Sequence, residues 1–296
     1  MTATTPQFTY TAVRGYFEQD EPTANPVDAV TLPGLGLIPR PYEGDDGSEA
    51  DRREGGSWEA FARHLDRLNH SGGDKVRYKL IYATRHGEGY HNVKEAEVGT
   101  AAWESYWARL DGDGKTVWAD ADLTPKGRAQ ALGMNHFWQE SAAKLKLPLP
   151  RRHYASPHSR CLDTCQLAFT GIALPEGQPP PFRPIVKELI RERMGIHTCD
   201  RRRTRTWISE SHPGFAIEDG FTERDELWKP DVRETLPEHA VRVRAFLDEL
   251  FANDGERIIS LAVHSGTLIA LFSVVGHPEL HVAPGNVVPL LIKAEL

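Results

Sequence analysis

The sequence predicts an α/β protein with a mainly parallel central sheet flanked by helices. Three observations carry this. Short apolar, β-rich runs at residues 77–84, 153–155, 184–187 and 257–263 alternate with helix-patterned stretches, the order of strand–helix–strand units. The first and last of these runs lead into a histidine, in Arg85-His86-Gly87 and in His264-Ser265-Gly266. A third leads into Ser156-Pro157-His158-Ser159-Arg160. In a parallel sheet with right-handed crossovers, Arg85, His86, Arg160 and His264 therefore gather at one carboxyl edge, the usual ligand position, and form a set suited to gripping an anion.

Bulk properties narrow the function. The chain has 296 residues, 40% of them apolar, enough for one large α/β domain or two small ones. With 42 acidic against 35 basic residues the formal charge is −7, which argues against wholesale binding to nucleic acid or to an anionic membrane. Residues 1–6 show no apolar run behind a basic start, and nowhere do about 18 apolar residues run together, so neither a secretion signal nor a membrane span is expected and the default location is cytoplasmic. Cys161, Cys165 and Cys199 are too few, and odd in number, for a disulfide framework, in keeping with a reducing compartment.

In chain order, residues 7–19 alternate as a strand or extended arm, and Pro, Gly and Asp make 20–56 mostly loop. A helix begins after Ser57, its cap, with Trp58, Phe61, Leu65 and Leu68 on one face and Ser71-Gly72-Gly73 as its stop. Residues 1–76 are read as an N-terminal extension packed on the core, and 77–296 as the main domain. After the strand at 77–84, Gly87 and Gly89 allow close backbone approach to a ligand, and Asn92 adds an amide donor without charge. Residues 93–122 read as an insertion more than a helix, with Trp103, Tyr106 and Trp107 in the core or lining a pocket. Asp111-Gly112-Asp113-Gly114 lacks the closing glutamate of a calcium loop and reads as a plain turn.

Thr124 and Pro125 open the next helix, with Ala131, Met134 and Trp138 on one face. The strand at 153–155 feeds a helix through Phe169, near whose start Arg160 makes sense with an anion, because its charge opposes the positive end of the helix dipole. Cys161 and Cys165 share a helical face and read as small buried side chains. The strand at 184–187 leads to Glu188 and Glu192, ahead of a second insertion at 195–235. Its arginines, 201–203 and 205, form a solvated face, grip an acidic substrate group, or pair with the acids of 218–226. A helix over 237–253 carries Ala240, Val243, Leu247, Leu250 and Phe251 as its stripe, and a strand at 287–293 closes the sheet.

Arg85-His86-Gly87 with Asn92 resembles the signature of the histidine phosphatase superfamily, the phosphoglycerate-mutase-like proteins. Four further elements resemble the family in order: Leu123-Thr124-Pro125-Lys126-Gly127 with Gln130-Ala131, Ser156-Pro157 through Arg160 with Thr164, Arg191-Glu192 with Gly195, and His264-Ser265-Gly266. The absence of His-Asp at the last favours the mutase-like first branch, of fungal type, over the acid phosphatases and phytases. The resemblance covers about residues 77–293 and implies a three-layer sandwich.

It also implies a mechanism. His86 attacks phosphorus and becomes phosphohistidine, while Arg85, Arg160, His264 and Asn92 hold the non-bridging oxygens, with Ser265 on the substrate side. Glu192, or else Glu188, protonates the leaving oxygen and later activates water; the other glutamate is structural or at the pocket rim. No metal or other cofactor is implied, the partner is a small phosphorylated substrate, and the oligomeric state is left open. The function expected is a metal-independent phosphatase of small phosphomonoesters, since long, irregular insertions suit a wide entrance. A phosphoglycerate mutase is the alternative, favoured if the arginine cluster grips a carboxylate. Two readings of other classes are a metal-dependent hydrolase with His86, His91, His158 and His264 around zinc, which the arginines oppose, and a non-catalytic phosphate-binding regulator, which would need no nucleophile.

Overall fold

Strand β2 (Val76–Arg85) is the spine of the molecule, because apolar side chains on both of its faces demand a packed layer on each side. In this computed structural model, which describes residues 8–21, 27–42, 57–73, 75–172 and 182–296, Ile81 and Ala83 join one buried cluster and Leu80 and Tyr82 the other. The remaining strands are β1 (Thr9–Ala12), β3 (Arg152–Ala155), β4 (Ile185–Val186), β5 (Ala216–Ile217), β6 (Ile258–Val263) and β7 (Val287–Glu295). Among the described residues they form a seven-stranded sheet in the order β1-β7-β2-β6-β3-β4-β5. Every pairing from β2 to β5 is parallel, and β7 runs antiparallel to both of its neighbours. The last strand is thus interior: it lies between β1 and β2, and β1 forms the edge beyond it.

One face is covered by α7 (Leu236–Asn253) and α8 (Ser265–Val275), whose Val243, Phe246, Leu247, Leu268 and Leu271 pack on Ile81 and Ile259. The other is covered by α1 (Trp58–Ser71), α4 (Pro125–Leu145) and α5 (Ser159–Phe169), through Trp58, Phe61, Leu65, Met134, Trp138 and Leu162. This is the three-layer α/β arrangement. Hydroxyl caps start three of these helices: Ser57 accepts from the Ala60 N–H, Thr124 from Gly127, and Thr235 from Glu238. Each satisfies a donor with no partner inside its helix. The expected arm at 7–19 is strand β1, followed by a 3₁₀ turn at Glu18–Asp20; within the expected loop at 20–56, residues 22–26 and 43–56 lie outside the described set.

Both insertions depart from the expected irregular chain. Residues after His86 form α2 (Tyr90–Val98) and α3 (Thr100–Ser105), followed by a 3₁₀ turn at Trp107–Arg109. Trp103 and Trp118 are core residues packed with Cys199, whereas Tyr106 is exposed. In the Asp111–Gly114 turn, Asp113 accepts from the Lys115 and Thr116 N–H groups and from the Lys94 ammonium, so both of its oxygens are engaged by the protein itself. The second insertion carries α6 (Arg205–Ser211) and β5.

The loop after β2 is held by a close backbone contact. A Cβ on Gly127 would stand 2.1 Å from the Glu88 carbonyl oxygen, and one on Gly87 would stand 2.4 Å from that of Gly127. Gly133, in the same helix, has open space beside it. Gly127→Ala is accordingly expected to cost about 3 kcal/mol and to lower activity with it, while Gly133→Ala should stabilise by roughly 0.5–1 kcal/mol. Urea unfolding of the two variants checks this pair.

Candidate active site

The carboxyl ends of β2, β3 and β6 meet at one point. The His86 N–H donates to Val263 O across the β2–β6 pair, and His158 and His264 stand at the N-cap positions of α5 and α8. The rings of His86 and His264 lie 5.1 Å apart, those of His86 and His91 5.4 Å, and those of His158 and His264 4.9 Å.

His86 is 2% exposed, and its tautomer is fixed by its neighbours. Its Nδ1 lies 2.7 Å from Gly87 O, which can only accept, so Nδ1 carries the proton. Its Nε2 receives the Arg160 Nε–H at 3.3 Å and therefore presents a lone pair. Burial, then the charges of Arg160 and Arg85, hold the His86 pKa well below its usual value, so the imidazole is neutral at physiological pH. The Gly87 N–H donates to Thr164 Oγ1 and the Glu88 N–H to Gln130 Oε1, so two of the motif residues fix the loop that carries the histidine.

Arg160 is 1% exposed. Its Nη1 donates to Cys199 O at 2.6 Å and its Nη2 to Asp200 Oδ1 at 3.1 Å. Burial works against the charged Asp200, but Arg233, whose Nη1 is 2.9 Å from Oδ2, and Arg160 outweigh it and hold the carboxyl below its usual range. Arg85 donates from Nη1 to Val282 O at 2.8 Å, while its buried Nε has no protein partner. Such a donor is what an anionic ligand satisfies. A second buried acid, Asp120, accepts from the Ser159 and Arg203 N–H groups, and burial raises its pKa to about 6 against the pull of Arg160 and Arg203.

The two glutamates separate cleanly. Glu192 Oε2 accepts from the Gly266 N–H at 3.0 Å and Oε1 from Arg193 N–H, which seats the carboxylate beside the turn that follows His264. A Cβ at 266 would lie 2.1 Å from Glu192 Oε1, so a side chain there would push the carboxylate out of this seat. Glu188 instead accepts from Arg202 Nε at 2.6 Å and Arg191 Nη1 at 3.1 Å, two buried guanidinium groups. Asn92 uses its side-chain oxygen to accept the Gly89 N–H at 3.0 Å, a capping contact that the sequence does not reveal. Ser265 is the first residue of α8.

Other residues of the site carry no role that their sequence position reveals. Ser156 Oγ bridges His264 Nε2 at 2.8 Å and His158 Nδ1 at 3.0 Å, orienting the second histidine. Asp200 and Arg233 had no local signal, since their role comes from folding the second insertion back onto Arg160. Three of the four arginines of the cluster are engaged by acids, Arg201 by Asp111, Arg202 by Glu188 and Arg203 by Asp122, while Arg205 is exposed. The solvated-face reading fails for Arg202, which is 4% exposed and also lies over the Phe221 ring. The expected ion pairing with the acids of 218–226 fails for Arg201, Arg202 and Arg203, whose acid partners all lie outside that run; Arg202 reaches it through the Thr222 and Arg224 carbonyls and through its own backbone N–H on Asp225 Oδ2, while the Asp225 carboxylate pairs with Arg191. Among the described residues, the histidine quartet does not bring its ring nitrogens together as a metal set; the one group that clusters is His197, Cys199 and Asp200. Its carboxylate already faces two guanidinium groups, which makes that group a poor host for a dication.

A doubly covered sheet with a neutral histidine, two arginines, a second histidine and a carboxylate at its carboxyl edge defines a class, and comparison agrees: residues 81–282 match the model of the histidine phosphatase superfamily (branch 1). The chain belongs to this superfamily and is an enzyme of its phosphatase and mutase kind. It is 40% identical over 294 residues, 99% of this chain and 87% of the relative, to a protein of Arthroderma benhamiae named "Probable phosphoglycerate mutase". It is 32% identical over 257 residues, 78% of this chain and 87% of the relative, to "Probable phosphoglycerate mutase PMU1" of Saccharomyces cerevisiae. "Phosphomutase-like protein 3" of Candida albicans is 35% identical over 219 residues, 73% of this chain and 66% of that protein. No helix among the described residues is long and apolar enough to cross a membrane.

His91, His158 and His264 are, like His86, held neutral mainly by burial and next by Arg160. In the unfolded chain they protonate near about 6.5. Below that pH the unfolded state binds protons the folded state does not, so stability is greatest above it and falls as pH drops. The thermal midpoint should therefore decline steadily from pH 7.5 to pH 5; a midpoint flat over that range would contradict the neutral assignment.

Proposed function

We propose that the chain is a metal-independent phosphatase of small phosphomonoesters that works through a phosphohistidine on His86. The observation that carries this is the fixed Nδ1–H tautomer of His86, whose lone pair on Nε2 faces Arg160 inside a buried, cationic site. A neutral imidazole with its lone pair directed at a phosphate-gripping guanidinium is a nucleophile ready for in-line attack. As the Nε2–P bond forms and the P–O ester bond breaks, the Arg160 Nε–H passes from Nε2 to a non-bridging oxygen. Arg85, through its unpaired Nε, and His264 contribute further donors, with the free amide hydrogens of Asn92 in support. Glu192 hands a proton to the leaving oxygen and later takes one from the water that attacks phosphohistidine. The arginines supply the positive charge that a metal supplies elsewhere.

The contacts of the two glutamates favour Glu192 as the acid, because the Glu188 oxygens hold Arg191 and Arg202 in place. Glu192→Gln should slow hydrolysis of an alkyl phosphate about 100-fold while sparing p-nitrophenyl phosphate, whose leaving group needs little protonation. Glu188→Gln should instead lower stability by about 2 kcal/mol, since it weakens the compensation of two buried cations. His86→Ala should abolish turnover of both substrates.

A second reading, phosphoglycerate mutase, is favoured by the names of the relatives. Two structural points bear on the choice. The insertions are helical and ion-paired, so they lend less support to a wide, adaptable entrance than their composition suggested. Against the mutase, Arg201, Arg202 and Arg203 are engaged by Asp111, Glu188 and Asp122, which leaves them poorly placed to grip a substrate carboxylate. Incubation with 3-phosphoglycerate should release inorganic phosphate; rapid formation of 2-phosphoglycerate with negligible phosphate would decide for the mutase.

A further inference from the structure

One imidazole in the wall around His86 has no part in this mechanism. His91, in the first turn of α2, is 8% exposed, and its Nδ1 is buried without a hydrogen-bond partner. A Cβ on Gly89 would come within 2.7 Å of that atom, so Nδ1 is packed against the Gly89 backbone with no room for a ligand. A buried N–H without an acceptor is rarer and costlier than a lone pair without a donor, which places the proton on Nε2. The charged and titratable groups that act on this ring, in order of strength, are Arg160, His86, Arg85 and His158, all members of the anion site. The backbone leading into it is pinned, because the Gly89 N–H is fixed on Asn92 Oδ1 and the Tyr90 N–H on Asp122 O.

We propose that His91 is a substrate-binding residue that donates its Nε2–H to the phosphoryl group held against His86. This rests on the reading of that site as a phosphoryl site. The chemistry favours a neutral donor at this position. Arg160 and Arg85 already press on His86 from short range, and a third cation would further depress the basicity of the nucleophile that the site must preserve. An imidazole held neutral stabilises a phosphoryl oxygen by hydrogen bonding without adding to that charge.

The test uses inorganic phosphate, measured by titration calorimetry, together with p-nitrophenyl phosphate turnover, on the wild type and on His91→Ala, His91→Asn and His91→Gln. A glutamine amide nitrogen reaches close to the position of imidazole Nε2, whereas an asparagine one reaches only that of Nδ1. Alanine and asparagine should weaken phosphate binding about 10-fold or more, and glutamine should restore it to within about 3-fold. Unchanged binding in His91→Ala would overturn the proposal, as would an equal loss in all three variants, which marks a packing role. The alanine effect should persist when His91→Ala is combined with His86→Ala, which removes turnover. A wild-type protein that binds phosphate but hydrolyses no ester would refute the phosphatase reading while leaving the His91 assignment standing. One that binds no phosphate refutes both.

Discussion

The buried charge of Arg160 is the constraint on which the site depends. A guanidinium taken out of water is tolerated only when its donors are met, and removing one partner of such a pair typically costs about 3–5 kcal/mol. Here the partners come from far along the chain. Cys199 O and Asp200 receive the two terminal nitrogens, leaving Nε to face His86. Asp200 in turn is held by Arg233, whose Nη1 also donates to the carbonyls of Arg193 and Gly195. The second insertion is therefore an internal brace for Arg160 and not a decoration on the family core. Its own charges are consumed in the same way, so the loop between Glu188 and Gly195, with Glu192 in its middle, is pinned from several sides.

Much of the fold and the core of the site is legible in the sequence, for a physical reason. A parallel strand buried on both faces must be a continuous apolar run, and ligand groups in such a sheet sit where the run ends, so Arg85, His86 and His264 announce themselves by position. Caps are equally legible because Ser57, Thr124 and Thr235 act on their own first turns. What stays hidden is whatever depends on distant partners. Helix α2 buries only His91 and Lys94, so it lacks the apolar stripe that marks a helix. Lys94 is itself inside because Asp113 and the Trp107 ring receive its charge. The interior place of β7 is not encoded in its own residues, since an apolar strand reads alike whether it runs parallel or antiparallel.

The same limit separates the two glutamates. Glu188 and Glu192 lie four residues apart in a stretch with weak periodicity, and spacing alone ranks them poorly. Tertiary contacts distinguish them: the Glu188 oxygens are occupied by guanidinium groups, and those of Glu192 accept from the Gly266 N–H at the start of α8 and from the N–H of the neighbouring Arg193. Gly266 leaves room for that contact, but its part becomes visible only when the Glu192 carboxylate is seen against it.

The placement of β1 bears on how the chain behaves at high concentration. Strand β7 is long and apolar, and along Ile292–Glu295 its outer backbone groups are paired with Thr9–Ala12. Without that short strand, the row of unpaired N–H and C=O groups would become a template for pairing with other molecules. At the opposite end the sheet tapers to the two residues of β5, too short an edge to recruit a partner. Strand β1 thus covers an edge that would otherwise be open to edge-to-edge pairing, and a chain lacking only this strand would keep both layers of helices and the histidine cluster yet lose its colloidal protection.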